Sequence, residues 1–403
     1  MPPTDEDADA VLHDLAQAEG HLQAVCFKTG PPRRIGVELE WTVHHVAAPH
    51  RHLDLPQIRQ ALGPHLADPG PTLPGGGRVT LEPGGQVEIS SAPADSLTAL
   101  HAATEADIAA LTRLLAGSDL TLGDQGIDPY RPPRRILNTP RYATMERVFD
   151  RRGPAGRTMM CSTAGVQVCV DGGSAADLPS RWAALTMMGP ALVAAFATSR
   201  TYAGRDTGWA SARMGAWIGI DPDRTRPVGH HDDPAAAWSR YALSASLLCV
   251  RRDDGPWHMP QGLSFADWIA GGGPRRPTVG DLDYHLSTLF PPIRPRGYLE
   301  VRYLDAQPGD EWIAPVAVVA ALLSDPTVTA AAIALAEPAA DRWVAAARHG
   351  LDDPRLRRAA TALLDLAGRA LDRTGLPAAV RDRVTAITER RLSGAPLELR
   401  STP

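Results

Sequence analysis

Four segments of the chain alternate apolar and polar residues with the period of two that a β-strand imposes. In "RIGVELEW" (34–41), Ile35, Val37, Leu39 and Trp41 share one face, while Gly36, Glu38 and Glu40 share the other. "VTLEPGGQVEIS" (79–90) predicts two short strands around a Pro-Gly-Gly turn. In "MMCSTAGVQVCVDGG" (159–173), Val166, Val168 and Val170 oppose Gly165, Gln167, Cys169 and Asp171, and "YLEVRYLD" (298–305) is a fourth alternating strand. Helical periodicity predicts an amphipathic helix over Asp7–Ala24. It predicts a long helix capped by Asp95 or Ser96, with Leu97, Leu100, Ile108, Leu111 and Leu115 as its apolar stripe. Ala175–Thr198 also reads as helical, with Pro179 and Pro190 starting or kinking it, and so does Ala235–Val250. After Pro308 the chain is almost wholly helical and Ala-rich up to about Leu392. Pro64–Gly77 and Gly271–Pro277 read as loops, and Gly204–Arg226 as an irregular functional segment. Strands that share one sheet, interrupted by helices and braced by C-terminal ones, predict an α+β fold.

Composition narrows the class. At 403 residues and 44% hydrophobic, the chain can bury a large core, and residues 1–403 are expected to form one domain without internal repeat or long linker. A formal net charge of −5 and no basic run longer than a pair argue against nucleic acid as a partner. "MPPTDEDADA" offers no secretory h-region, and no apolar run reaches the roughly 20 residues that span a bilayer. Cys26, Cys161, Cys169 and Cys249 have neither metal-site spacing nor disulfide density, so a reduced cytoplasm is expected, without membrane partners. Lys28 is the only lysine, and it follows Phe27 rather than Gly, so the chain has no P-loop; a strand-borne G-x-G-x-x-G is also missing. Nucleotide chemistry, if present, must be carried by arginines and metals.

The polar faces of the four strands are chemically loaded in the same way. They offer Glu38 and Glu40, then Glu82, Gln86 and Glu88, then Gln167, then Glu300 and Arg302. A lone Glu on a strand is usually a solvated edge residue. Five that converge on one concave sheet need a counter-charge, and hard divalent cations such as Mg²⁺ prefer oxygen donors. Arg302 is either an ion-pair partner for Glu300 or a stabiliser of charge on a transferring phosphoryl group. Arg213 and Arg224, in the irregular segment, are either substrate-carboxylate clamps or exposed loop arginines. His44, His45, His50 and His52 lack a helical ligand pair, and "HHDD" (230–233) resembles a helix start more than a zinc site. Cys161 and Cys169 read as small buried hydrophobes, and "PRRPTVGDLDYH" (274–285) is a lesser candidate for phosphate contact.

Several segments together carry a resemblance: "IGVELE", "LEPGGQVEISSAP", "STAGVQVCVD", "SARMGAW", "DRTRP" and "YHLSTLFPPIRPRGYLEVRYLDAQP". They resemble, in order and approximate spacing over about residues 33–310, the glutamate–cysteine ligases of the plant and proteobacterial type. Within that family the actinobacterial enzymes of ergothioneine synthesis look most similar. The resemblance implies a glutamine-synthetase-like fold, a curved, largely antiparallel sheet backed by helices, with a helical C-terminal portion over about 311–395. It implies ATP- and Mg²⁺-dependent ligation of the L-glutamate γ-carboxylate to the L-cysteine amine, in a monomer or small homo-oligomer. Carried over, Glu38, Glu40, Glu82, Glu88 and Glu300 are metal ligands, and Glu300 and Arg302 serve phosphoryl transfer. Arg213, Gln167, Arg224 and Trp217 contact substrate, while Gln86 and Arg302 contact ATP. Cys169 stands where the motif commonly has Asn, and Arg226 where it commonly has Gly. A ligase using another acceptor amine, a divalent-metal hydrolase and a non-catalytic nucleotide-binding relative are the competing readings.

Overall fold

The computed structural model describes residues 8–394, apart from 230, 231, 253, 254, 256, 258, 260 and 261. The histidines of "HHDD" therefore lie outside the described residues, as does Asp7. All four alternating segments are strands of one six-stranded sheet: β1 (Ile35–Trp41), β2 (Arg78–Leu81), β3 (Val87–Ser90), β4 (Gly165–Val170), β5 (Ile293–Pro295) and β6 (Leu299–Asp305). Their order is β2-β3-β1-β4-β6-β5, and every pairing is antiparallel. The sheet is therefore antiparallel throughout, in keeping with the largely antiparallel sheet that the resemblance implies.

Alternation sends Val37, Leu39 and Trp41 of β1 into the core beside Val87, Ile89, Val166, Val168, Leu299 and Val301. Helices close this apolar side. Leu97–Ala116 begins at Ser96, whose hydroxyl accepts a hydrogen bond from the Ala99 N–H at 3.1 Å, the arrangement that satisfies an otherwise orphaned helix-start donor. Leu178–Ala195 is apolar all round and buried from Ala184 to Ala195, as a helix packed on several sides must be. It touches β6 on one side and the C-terminal helices Pro326–Ala336, Trp343–His349 and Pro354–Ala370 on others. Tyr303 of β6 meets Trp343 edge to face at 5.5 Å. The helical tail thus belongs to the same core as the sheet.

Three expectations shift at their edges. The first helix covers Leu15–Cys26 rather than Asp7–Ala24, because Asp14 caps it at the Gln17 N–H. The residues before it are drawn into extended pairing, with the Leu12 N–H bonded to the Pro277 carbonyl. Ala235–Val250 is helical only to Ser244: beyond it the Leu247 and Val250 N–H groups bond to the carbonyls of Leu263 and Trp257. The irregular segment contains a helix, Ala212–Ile218, capped by Ser211. Among the described residues no single helix is long and apolar enough to cross a membrane.

Candidate active site

The polar face of the sheet floors a cavity of about 390 Å³. Register brings its side chains together: Glu40 pairs with Glu88, Glu38 with Ser90 and Gln167, and Glu300 with Cys169 and Arg294. Glu82 and Gln86 enter from the Pro-Gly-Gly turn between β2 and β3. That turn runs so close to the Cys161 backbone that a Cβ on residue 84 would lie 2.1 Å from its carbonyl oxygen, so only glycine fits there. Arg141, Tyr142, Met145, Met159, Trp217 and Phe290 form part of the remaining lining.

The floor divides into two electrostatic halves. Glu300 is fully buried, and its carboxylate accepts from Arg294 Nε at 2.6 Å, Arg294 Nη2 at 3.1 Å and Arg302 Nη1 at 2.8 Å. Arg296 adds an ion pair at 3.5 Å. Burial alone would raise the Glu300 carboxyl, but Arg294 and Arg302 outweigh it and hold the group well below the usual carboxylate range. Glu38, Glu40, Glu82 and Glu88 have no such escort. Burial first, then the charges of Glu300 and Glu88, push Glu38 up to about 7. Burial, Glu88 and Glu40 push Glu82 up to about 8. Glu40 and Glu88 are also raised, mainly by burial; Arg213 and Arg302 offset part of the rise at Glu40. Gln167 joins the halves, accepting from Arg302 Nη1 at 2.5 Å and donating to Glu40 Oε1 at 2.7 Å.

The five glutamates, Gln167 and Arg302 thus meet at one floor, with Glu300 beneath the arginines that line the cavity. Glu38, Cys169 and Glu300 place donor atoms within 4.8 Å of one another, a spacing that one cation could bridge. Trp217 lies at the wall, with the Arg302 guanidinium 5.3 Å from its ring centre. Gln86 also lines the cavity, but its amide is engaged by the Met160 and Thr163 carbonyls and the Gly84 N–H.

Arg213 and Arg224 do not line this cavity; each is 1% exposed. Arg224 donates to the Thr288 carbonyl and hydroxyl at 3.1 and 3.0 Å and to the Ser246 carbonyl, pinning the loop beyond the helix Val279–Leu286. Arg213 donates to the Arg302 carbonyl at 2.9 Å. Neither is an exposed loop arginine. In the "PRRPTVGDLDYH" segment, Arg275 pairs with Asp281 at 2.5 and 2.9 Å, and Thr278 and Asp281 form a capping box. His44 lies 3.4 Å from Asp128. Burial raises the Cys161 thiol to about 12 and the Cys169 thiol well above its ordinary value, so neither is an activated nucleophile.

Arg294, Arg296 and Arg141 are site residues that the strand patterns do not single out. In "IRPRGYLEVR", the turn at Gly297 folds Arg294 back onto Glu300.

The fold and site define an α+β protein whose antiparallel sheet carries carboxylates and arginines on one face and is backed by helices on the other. The fold is similar to that of the glutamate–cysteine ligase of Francisella tularensis in complex with AMP, with a TM-score of 0.52 at 14% identity over 92% of this chain and 84% of that one. At sequence level the assignment is firmer. The chain belongs to glutamate–cysteine ligase family 2, whose profile matches residues 34–395. It is 41% identical to the glutamate–cysteine ligase EgtA of Mycolicibacterium smegmatis, over 87% of this chain and 83% of that protein. It is 38% identical to EgtA of Mycobacterium tuberculosis, over 90% and 84%. The chloroplastic glutamate–cysteine ligase of Brassica juncea is more distant, at 30% over 74% of this chain and 61% of that one.

Proposed function

We propose that the chain joins the γ-carboxylate of L-glutamate to the amine of L-cysteine at the expense of ATP, giving γ-glutamylcysteine, ADP and phosphate, and that the product feeds ergothioneine synthesis. The carrying observation is the divided floor: four under-compensated carboxylates beside an arginine cluster that already neutralises a fifth. A carboxylate is a poor acylating agent and repels the triphosphate it must attack, so such a reaction needs concentrated positive charge between two anions.

The donor set fits Mg²⁺. Glu38, Glu40, Glu82 and Glu88 are oxygen donors held above their ordinary pKa by burial and by one another, and Glu300 adjoins Glu38. When bound, the ions would screen the triphosphate from the attacking carboxylate and polarise the phosphoryl group. Arg302, held protonated by Glu300, Glu38 and Glu40 in spite of its burial, would steady the phosphoryl oxygens as charge develops on them. The γ-carboxylate oxygen bonds to the terminal phosphorus of ATP while ADP departs with the bridging electron pair. The cysteine amine then attacks the acyl carbon of γ-glutamyl phosphate, phosphate leaves, and the amine proton passes to a cavity carboxylate. Gln167 orients Arg302, and Trp217 supplies a flat wall for substrate.

The test is phosphate release from ATP and Mg²⁺ with glutamate alone, cysteine alone, both, and glutamate with other amines. Full turnover is expected only with glutamate and cysteine together. Equal stimulation by another amine would reassign the acceptor, and release without glutamate would overturn the ligase reading.

A further inference from the structure

Three guanidinium groups share the one carboxylate of Glu300, and the backbone fixes two of them as a unit. Arg294 stands directly opposite Glu300 on β5, a three-residue edge strand, across the turn at Gly297. On β6 the pairing with β4 slips by one residue: Val301 faces Val168 and Leu304 faces Val166, so Arg302 and Tyr303 together oppose Gln167. Such a bulge re-aims a side chain and breaks the ladder locally. The Arg302 N–H turns to the Pro292 carbonyl at 2.9 Å, which ties the bulge to the chain just ahead of β5.

The two side chains hold Glu300 in different ways. Arg302 reaches it with Nη1 alone, and the same nitrogen donates to Gln167. Arg294 meets it side-on, through Nε at 2.6 Å and Nη2 at 3.1 Å. A guanidinium carries its N–H donors in one plane, so side-on pairing leaves a second edge, Nη1 with the outer N–H of Nη2, for another pair of oxygens. Among the described residues nothing accepts from Arg294 Nη1, from Arg302 Nη2 or from the buried Arg302 Nε. Both arginines line the cavity, with side chains 13% and 9% exposed. A carboxylate locked between them leaves donors and positive charge to spare, which suits a tetrahedral oxyanion with several acceptor oxygens.

We infer that Arg294 is a second phosphoryl-binding residue: its side-on edge locks to Glu300, and its free edge, beside Arg302, takes oxygens of the terminal phosphoryl group. The inference rests on the ligase reading above. Glu300 then serves as the shared anchor that sets the spacing of the two guanidinium groups, so that neither has to be ordered when the nucleotide arrives.

Calorimetric titration of inorganic phosphate into the protein, with Mg²⁺ removed by EDTA, tests the assignment. Wild-type protein should show saturable binding. Arg294→Lys keeps a positive charge beside Glu300 but has no second edge, and should weaken phosphate binding about tenfold or more; Arg294→Gln should weaken it further. In steady state both variants should lower kcat, while KM for glutamate and for cysteine stays within about threefold. Phosphate binding by folded Arg294→Lys within about twofold of wild type would reduce Arg294 to a counter-ion for Glu300 and overturn the inference. So would a rise of about tenfold or more in KM for glutamate with phosphate binding preserved, which would give the free edge to the substrate carboxylate. If neither variant folds, the wild-type titration decides, because absence of saturable phosphate binding overturns the inference without any variant. Lack of glutamate-dependent ADP release from the wild-type protein would instead fail the ligase reading, and the phosphate titrations would still decide what Arg294 binds.

Discussion

The two halves of the cavity floor are built from the same residue type and reach opposite states. At Glu300 a buried carboxylate meets three arginines and stays ionised. At Glu38, Glu40, Glu82 and Glu88, on neighbouring strands of the same sheet, buried carboxylates crowd one another and their pKa values rise. The arginine half is complete within the chain; under the proposed function the acidic half takes up Mg²⁺. A buried charge with its partner removed costs far more than the pair contributes, whereas an unpartnered charge in a crowd is a cost that the fold already bears.

Substitution of Glu300 should therefore have the largest effect on the fold. Glu300→Gln leaves Arg294 and Arg302 facing each other without a counter-ion and should lose about 3–5 kcal/mol in urea unfolding, as well as turnover. The pH response comes next, and its two halves have opposite signs. Glu300, depressed when folded, contributes stability that is present above the ordinary carboxylate pKa and lost as pH falls. Glu38 and Glu82, raised to about 7 and about 8, favour the fold only while protonated, so stability falls as pH rises from about 4.5 through 8. Without Mg²⁺, urea unfolding should show a loss of about 2–4 kcal/mol between pH 5 and pH 8. Mg²⁺ should flatten that slope and release protons on binding, read by calorimetry in buffers of different ionisation enthalpy. A Mg²⁺-independent slope would contradict the division of the floor.

Smaller effects sharpen the contrast. Glu38→Gln should make the metal-free protein more stable at pH 8, by about 1–2 kcal/mol, while cutting Mg²⁺-dependent ADP release at least about a hundredfold. Destabilisation by that variant would place Glu38 with Glu300 instead. Arg296→Ala should change stability by less than about 1 kcal/mol, because its side chain is half exposed and its contact with Glu300 is long.

The acidic half was largely legible in the sequence. Glu38, Glu40 and Glu88 sit on strands whose apolar backs have period two, and a strand fixes the face of every residue once one face is buried. The helix from Ser96 was equally legible, because its cap and its stripe are local. Of the arginine half, Glu300 and Arg302 were legible on their alternating strand, but Arg294 and Arg296 were not. Arg294 lies on a three-residue strand too short to show a period, and its partner follows from the register across Gly297. Arg213 and Arg224 were noticed for their company in a Gly- and Arg-rich segment. Composition could not reveal that both are spent on backbone carbonyls, since that depends on segments distant in sequence. The bulge at Arg302 leaves no mark on the alternation of "YLEVRYLD".

The helix Leu178–Ala195, apolar on every side, bears on how the protein is made. One of its sides covers the sheet, and the others wait for helices synthesised more than a hundred residues later. Until Pro354–Ala370 has left the ribosome, the nascent chain carries a broad greasy surface even though every residue of the cavity has already been translated. Lesions in the C-terminal helices, far from any substrate, should therefore be noticed first by chaperones and proteases, and would lower the number of enzyme molecules in the cell rather than the turnover of each.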